Sequence, residues 1–295
     1  MRRDGNPEDD GGQPDHDIQT RTASALGEGA AHGHHESQSS SVRSLSEVCD
    51  LLANAQAKRR FCIGQQSRLN NALGALARWQ LGWKVSLPEA ERERIRKDAA
   101  KLVKAVQDGE LPAGMEDAAE TLLPYVQDTA IGRTPFDLRR KEIEKEMRKL
   151  VRDLPAYEFA ESVKGFGDLA LAVIVGEAGN LANYPHWQHL WKRLGWAPRE
   201  EYPKGEKSEG RKVPRRVKGE LYGTVIEPLM KLNGDGKYKA LYDRRKADYL
   251  ARFEADGSKT PKLHAHKLAM RVMLKELLKD LWKAWNGQLD RDDQT

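Results

Sequence analysis

The chain has 295 residues, 39% of them hydrophobic, and a formal net charge of +5. This length fits one or two domains. With only Cys49 and Cys62, a disulfide framework and a four-cysteine zinc site are excluded. No stretch reaches the roughly 18 apolar residues that a membrane span requires, and the polar N-terminus is unlike a signal peptide. We therefore expect a cytoplasmic protein with no membrane partner.

The charge is unevenly distributed along the chain. Residues 1–44 carry four Arg and eight Asp or Glu without an apolar period, so we predict a disordered tail there, and a second one at 287–295. Because the first tail holds a net −4, residues 45–295 hold +9, which favours an acidic partner such as nucleic acid. The tail's histidines at 32, 34 and 35 have no neighbouring groups to orient them as metal ligands.

Residues 45–154 are predicted to form a helical arm, because apolar side chains recur there at spacings of three, four and seven. Ser86, just before Leu87 and Pro88, resembles a helix cap followed by a proline in the first turn. The expected elements are one long helix or two short ones over 45–80, a second helix from about Ser86 to about Val106, and a short third helix over 116–128.

A narrow apolar seam follows Gly132 and Pro135, beyond the short third helix. Its members recur at steps of seven, four, three and four amid dense charge, which is typical of a solvated helix. Two interpretations remain open, an ordinary helical bundle and an antiparallel coiled-coil arm used for self-association. We expect a homo-oligomer formed through this arm. The seam consists of Phe136, Ile143, Met147, Leu150 and Leu154.

The turn Gly165-Phe166-Gly167 joins a short helix to an apolar helix, for which Asp168 is the expected N-cap. Glycine on both sides lets the backbone turn tightly, while Phe166 can tuck into the core. The exposed amides and the positive end of the second helix would then hold a DNA phosphate, as in a helix-hairpin-helix motif. Lys164 and the three turn residues are therefore DNA-binding candidates.

Three other interpretations of this segment stay open. The glycine spacing formally matches a dinucleotide-binding fingerprint, although the residues before it are not an apolar strand. The run 172–175 can be a buried strand. A plain turn between helices, which needs glycine only for packing, is the third.

Residues 202–219 are a predicted basic loop, with seven Lys or Arg against two Glu. This charge suits phosphate contacts with little base specificity, and the alternative is a merely solvated loop. In the final helix, expected from about Pro261 to Trp285, a basic residue recurs every four positions. The DNA-binding candidates of the loop and the helix are Lys204, Lys207, Arg211, Lys212, Arg215, Arg216, Lys218, Lys267, Arg271 and Lys275.

Two further groups in this half have competing interpretations. Trp282 and Trp285 are expected to lie in the core rather than to stack on bases. A zinc site is conceivable from the four histidines at 186, 189, 264 and 266, but no carboxylate or thiolate spacing supports it. We therefore predict no metal site.

A set of features between residues 163 and 198 points to a known family. They are the Gly165–Gly167 hairpin, an apolar helix ending at Gly176 to Gly179, Tyr184, and the segment Leu194-Gly195-Trp196-Ala197-Pro198. With the basic loop and the late Lys-rich helix, they resemble the C-terminal domain of the insertion-sequence 110/116/902 transposases and of the Piv-type DNA invertases. The resemblance covers about residues 155–286. It implies a serine nucleophile shortly after the Leu-Gly-x-x-Pro segment, for which Ser208 is the candidate.

The predicted fold class is all-α, with a long helical, coiled-coil-like arm at 45–154 and a helix-hairpin-helix DNA-binding domain at 155–286. The predicted function is double-stranded DNA binding in transposition or site-specific recombination, at a nucleoid-associated location. The alternative is a non-catalytic DNA-binding or recombination-accessory protein derived from a transposase.

Whether the chain is an enzyme stays open at this point. The family carries an N-terminal RuvC-like domain with four metal-binding carboxylates on β-strands, and residues 1–150 show neither strand alternation nor such a set. No cofactor is expected unless a separate RuvC-like subunit brings Mg²⁺. A guide RNA is a further candidate partner.

Overall fold

The computed structural model describes residues 43–197, 215–257 and 260–289. Every regular element in these ranges is helical, which confirms the all-α prediction. None of these helices is both long and apolar enough to cross a membrane. The helices are α1 (Leu45–Gln80), α2 (Glu89–Gln107), α3 (Glu116–Leu150), α4 (Tyr157–Ser162), α5 (Asp168–Ala178), α6 (Trp187–Arg193), α7 (Arg215–Leu221), α8 (Glu227–Leu232), α9 (Lys237–Ala255) and α10 (Pro261–Trp285).

The two longest helices, α1 and α3, lie antiparallel. Gln66 of α1 bonds to Asp137 of α3, and one turn further along α1 Asn70 accepts a 3.0 Å hydrogen bond from Arg133, one turn earlier in α3. A capping box at Ser44 starts α1, which then runs unbroken, so the 45–80 segment is one long helix. α2 packs across the far end of the pair, where it closes a small separate core.

The prediction of a short helix over 116–128, with a separate helix after Gly132 and Pro135, is wrong, because α3 runs unbroken through both residues. A proline in a helix removes one amide and frees one carbonyl. Pro124 and Pro135 both lie on the exposed side of α3, where water can satisfy the freed carbonyls. Gly132 lies toward Leu69 of α1. Packing along α1 therefore outweighs the local breaking signals.

Two helix starts also differ from the prediction. Ser86 does not cap α2, which begins at Glu89 with Pro88 in the N-cap position and no side-chain cap. Asp168 is the first residue of α5 rather than its cap, which is Gly167. Both differences are shifts of one to three residues at helix ends, where short polar residues and glycine compete for the cap.

The main core joins the near ends of α1 and α3 to the C-terminal helices. α5 packs so closely on α1 that a Cβ atom on Gly176 would lie 2.6 Å from the Cβ of Gln56 and 3.0 Å from the carbonyl oxygen of Leu52. Residues on both sides of position 154 therefore share one core. Fully buried members from the two sides include Val48, Leu52, Met147, Phe166, Leu171, Ile174, Leu274 and Leu281.

The apolar seam of α3 is covered within the chain. Ile143, Met147 and Leu154 are buried in the main core, and Phe136 and Leu150 pack partly buried against it. Of the two interpretations left open, this coverage favours the helical bundle, because α1 and α5 lie over the seam. Self-association through the arm remains a prediction, but this seam no longer supports it.

Two further predictions for the C-terminal half concern the tryptophans of α10 and the apolar run 172–175. Trp282 and Trp285 lie in the core, where their indole N–H groups donate to the Tyr184 carbonyl at 2.9 Å and to Asn180 Oδ1 at 3.1 Å. The run 172–175 is fully buried, but it lies inside helix α5 and not in a strand.

Candidate nucleic-acid interface

The Gly-Phe-Gly turn connects the C-terminal end of α4 to the N-terminal end of α5. Phe166 is fully buried, so it tucks into the core as predicted, and its ring lies 6.2 Å from that of Phe159. Its amide donates to the Val163 carbonyl at 2.9 Å. The Phe166 side chain therefore anchors the turn from inside, and the exposed parts of the turn are Lys164 and Gly167.

The two glycines of the turn have different roles. Gly165 has a φ of +91°, and a Cβ atom there would lie 2.8 Å from the Pro228 carbonyl oxygen and 3.0 Å from the Leu229 Cα. Its close backbone approach is thus to α8 of the same chain. Gly167 has open space where a Cβ would stand, and its carbonyl accepts the Ala170 and Leu171 amides. Gly167 is therefore the position at which a phosphate can approach the helix end.

A second glycine-rich turn, between α8 and α9, is hydrogen-bonded to the residue just before the Gly-Phe-Gly turn. Asn233 is buried and donates from Nδ2 to the Lys164 carbonyl at 2.9 Å, while its Oδ1 accepts the Lys239 amide at 3.1 Å. One side chain thus fixes the first turn and the start of α9. Sequence reasoning missed Asn233, although the run Asn-Gly-Asp-Gly is a strong turn signal.

A buried carboxylate lies beside these turns. Asp280 of α10 accepts hydrogen bonds from Tyr238 Oη and Lys237 Nζ, both at 2.8 Å. Burial, followed by the charge of Asp280, raises the pKa of Tyr238. A cavity of about 370 Å³ is lined by Asp280, Tyr238 and Lys237 together with Lys164 and Asn233 of the turns.

Cationic side chains of α7 and α10 lie at both ends of the segment 198–214. Arg271 donates to the Ala197 carbonyl at 3.3 Å, just before this segment. Just after it, Lys218 lies over the ring of Trp196 at 5.8 Å. Arg216 is exposed on α7. The candidates Lys204, Lys207, Ser208, Arg211 and Lys212, and the side chain of Arg215, lie outside the described residues.

The basic stripe of α10 runs along α6. Lys275 Nζ lies 4.7 Å from the ring centre of Trp191, and Lys279 and Lys283 each lie 5.8 Å from that of Trp187. The Trp191 indole N–H also donates to the Lys275 carbonyl at 3.1 Å. Two tryptophan rings of α6 thus lie against three lysines of α10. The tryptophan rings hold these lysines through cation–π contacts.

The structure thus brings Arg271 of α10 and Lys218 of α7 to the neighbouring residues Ala197 and Trp196. Arg271 and Lys218 flank one segment, whereas the turn contacts α8 and the start of α9. Lys267 is exposed on α10.

A buried ion-pair network joins the arm to α5 and α7, and sequence reasoning missed it. Arg59 is 2% exposed and bonds through Nε to Glu144 at 2.8 Å and through Nη1 to Glu220 at 2.5 Å. Arg140 also donates to Glu144, at 2.9 Å. Burial by itself would raise the pKa of Glu144, but the hydrogen bonds from Arg140 and Arg59 outweigh it and lower that pKa.

The same network continues to α5. Gln56 is fully buried and donates to Glu177 at 2.9 Å and to Glu220 at 3.2 Å. Arg60 Nη1 contacts both carboxylate oxygens of Glu177, at 2.7 and 2.8 Å. All three carboxylates of the network are therefore neutralised by arginine or hydrogen-bonded by glutamine inside the fold.

The histidines considered for zinc have other partners. His186 caps α6 by accepting the Gln188 amide at 3.4 Å, and His266 Nδ1 lies 2.7 Å from the hydroxyl of Tyr242. In the described ranges, no three His, Cys, Asp or Glu side chains lie close enough together to hold a metal ion.

Comparison of the chain with known proteins finds no matching family model, no matching curated protein and no matching solved structure.

Proposed function

We propose that this chain is a double-stranded DNA-binding protein of transposase type that acts in DNA transposition or site-specific recombination. One observation carries the proposal: cationic groups of α7 and α10 flank the segment 198–214, with Arg271 at its start and Lys218 near its end. That segment overlaps the basic loop predicted at 202–219. A phosphate backbone is the ligand that such a run of cations suits best.

The distribution of carboxylates strengthens this proposal. Glu177 of α5 and Glu220 of α7 point inward and are neutralised by Arg60 and Arg59, so they do not offset the outward cations. On the α6 side of α10, Lys275 and Lys283 lie over tryptophan rings. Cations held in place by packing lose less side-chain entropy when they meet a phosphate.

Phosphate contacts predict binding with little sequence preference and a strong dependence on salt. If six to eight contacts form, the affinity for a DNA duplex falls roughly 10³-fold or more between 50 and 200 mM salt. An affinity that does not change with salt would overturn the proposal.

Single charge deletions on the full chain locate the interface. Arg216 and Lys192 are exposed on α7 and α6, so Arg216→Gln and Lys192→Gln should each lower the slope of log affinity against log salt by about one. Lys97→Gln, on the exposed face of α2, is the matched control and should leave the slope unchanged. Equal slopes in all four proteins would remove α6 and α7 from the interface.

A recombination assay separates the transposase from its accessory alternative. Strand exchange by the purified protein on a supercoiled substrate is the outcome expected of a transposase. Salt-dependent binding without strand exchange is the outcome expected of a recombination-accessory protein.

A further inference from the structure

One flank of the α1–α3 pair has no other helix against it in the part of the chain that the structure describes. Gln56 and Arg60 of α1 face α5, while Gly74 and Arg78, about five helical turns later, line a cavity against α2. Both packed helices therefore use the same side of α1. Phe61 lies away from that side, because its position is roughly 100° around the helix from Arg60 and roughly 140° from Gln56.

This free flank contains an apolar groove of about 430 Å³ between α1 and α3. The Phe61 ring lies in this groove and makes a T-shaped contact with Phe136, with the ring centroids 6.2 Å apart. Phe61 is 60% exposed. Cys62 and Ile143 form the floor. An aromatic side chain that is this exposed, next to buried apolar floor residues, resembles the central anchor of a protein interface.

The rim of the groove carries opposite charges that no ion pair joins among the described residues. Lys58 lies on the α1 side and Glu146 on the α3 side, and neither forms an ion pair with a described residue. The other two charges of the rim, Arg139 and Glu142, already pair with each other at 3.2 Å. Within residues 43–197, 215–257 and 260–289, the groove thus offers one cation and one carboxylate without ion-pair partners around an aromatic anchor.

We infer that this flank is a two-fold dimer interface, in which Lys58 of each chain pairs with Glu146 of the other around the two Phe61 rings. A two-fold axis brings the same patch of both chains together, so the patch must be self-complementary. A groove with one cation and one carboxylate that form no ion pair with a described residue meets this condition.

Charge exchange in the full chain tests the inference directly. In a two-fold dimer, Lys58→Glu and Glu146→Lys each create two like-charge contacts per dimer. Each variant should therefore weaken the dimer roughly tenfold or more. Sedimentation velocity over a concentration series, at low and high salt, measures the dissociation constant. Phe61→Ala should weaken the dimer as well.

The two weakened variants should rescue each other. When Lys58→Glu and Glu146→Lys chains are mixed in equal amounts, both contacts of the mixed dimer are again between opposite charges. The double variant should likewise regain the wild-type dimer. This recovery also demonstrates that neither single variant is simply unfolded.

Several outcomes would overturn the inference. They are a wild-type chain that stays monomeric at every concentration, single variants that dimerise like the wild type, and a mixture that fails to recover. Lys97→Glu, an exposed charge reversal on α2, is the control and should not change the dimer. DNA affinity is measured separately, so this inference and the proposed function can fail independently.

Discussion

Arg59 and Glu220 lie 161 positions apart in the sequence, and their side chains bond at 2.5 Å inside the fold. Because Arg59 also holds Glu144, one guanidinium connects α1, α3 and α7. A buried charge without its partner is far more costly than an exposed one. The position of α7, and with it the end of the basic segment, therefore depends on a residue of α1.

Arg59→Ala should destabilise the protein by about 3–5 kcal/mol, because it leaves Glu220 and Glu144 buried beside a cavity. Chemical denaturation monitored by circular dichroism measures this loss. Arg96→Ala removes ion pairs to Glu89 and Glu93 on the exposed surface of α2 and should cause little change. Similar midpoints for the two variants would mean that the network does not hold the fold together.

Low pH should lower the free energy of unfolding, because it protonates Glu144. Its pKa in the folded state lies below the ordinary value of 4.5, since the hydrogen bonds from Arg140 and Arg59 outweigh burial. The sign follows from proton linkage: this stabilisation is fully present above pH 4.5 and is lost as the pH falls through the folded pKa.

Glu144→Gln removes this titration while it keeps the side-chain shape. The variant should be less stable than the wild type at pH 7, and the difference between them should shrink below pH 4.5. Urea midpoints at several pH values measure both curves. A constant difference across this pH range would contradict the role given to Glu144.

The sequence predicts elements whose signals are local, and it misses those that depend on tertiary contacts. α10 starts and ends at the predicted Pro261 and Trp285, because a proline in the first turn and Gly287 after the last mark its ends. Phe166 is buried as expected. The continuity of α3 depends on packing against α1, which no local pattern reveals.

The sequence of α1 contains an indication of the buried ion-pair network. Gln56, Arg59 and Gln66 are buried at core-facing positions of α1, between Leu52 and Leu73. Polar residues at the apolar positions of a helical stripe imply buried partners. The sequence does not identify those partners, because Glu144, Glu177 and Glu220 are only three of many acidic residues.

The two glycines of the Gly-Phe-Gly turn should respond differently to substitution. Gly165→Val should destabilise the fold, because φ is +91° and a Cβ atom would lie 2.8 Å from the Pro228 carbonyl oxygen. Gly167→Val has open space and should leave stability nearly unchanged while it weakens DNA binding. Thermal melts and a DNA titration measure the two effects. A folded Gly167→Val protein that binds DNA as well as the wild type would limit the turn to a structural role.

The last prediction concerns Ser208, which lies outside the described residues. Nucleophilic attack would join its Oγ to a DNA phosphorus and release a deoxyribose hydroxyl, and it requires a group that takes the serine proton. The groups found at the ends of its segment are the cations Arg271 and Lys218, which can stabilise charge on a phosphate but are poor proton acceptors. We therefore expect no covalent protein–DNA adduct when the full chain is incubated with nicked or suicide substrates.

Gel analysis under denaturing conditions checks this expectation, with Ser208→Ala and Tyr202→Phe as the paired variants. An adduct that forms with the wild type and disappears in Ser208→Ala would contradict it, and would assign serine recombinase chemistry to this chain. An adduct that persists in Ser208→Ala but is lost in Tyr202→Phe would make the phenol the nucleophile, since Tyr202 carries the other hydroxyl between Pro198 and Gly219. If neither adduct forms while salt-dependent DNA binding is intact, strand cleavage belongs to another subunit, and this chain acts by holding the DNA.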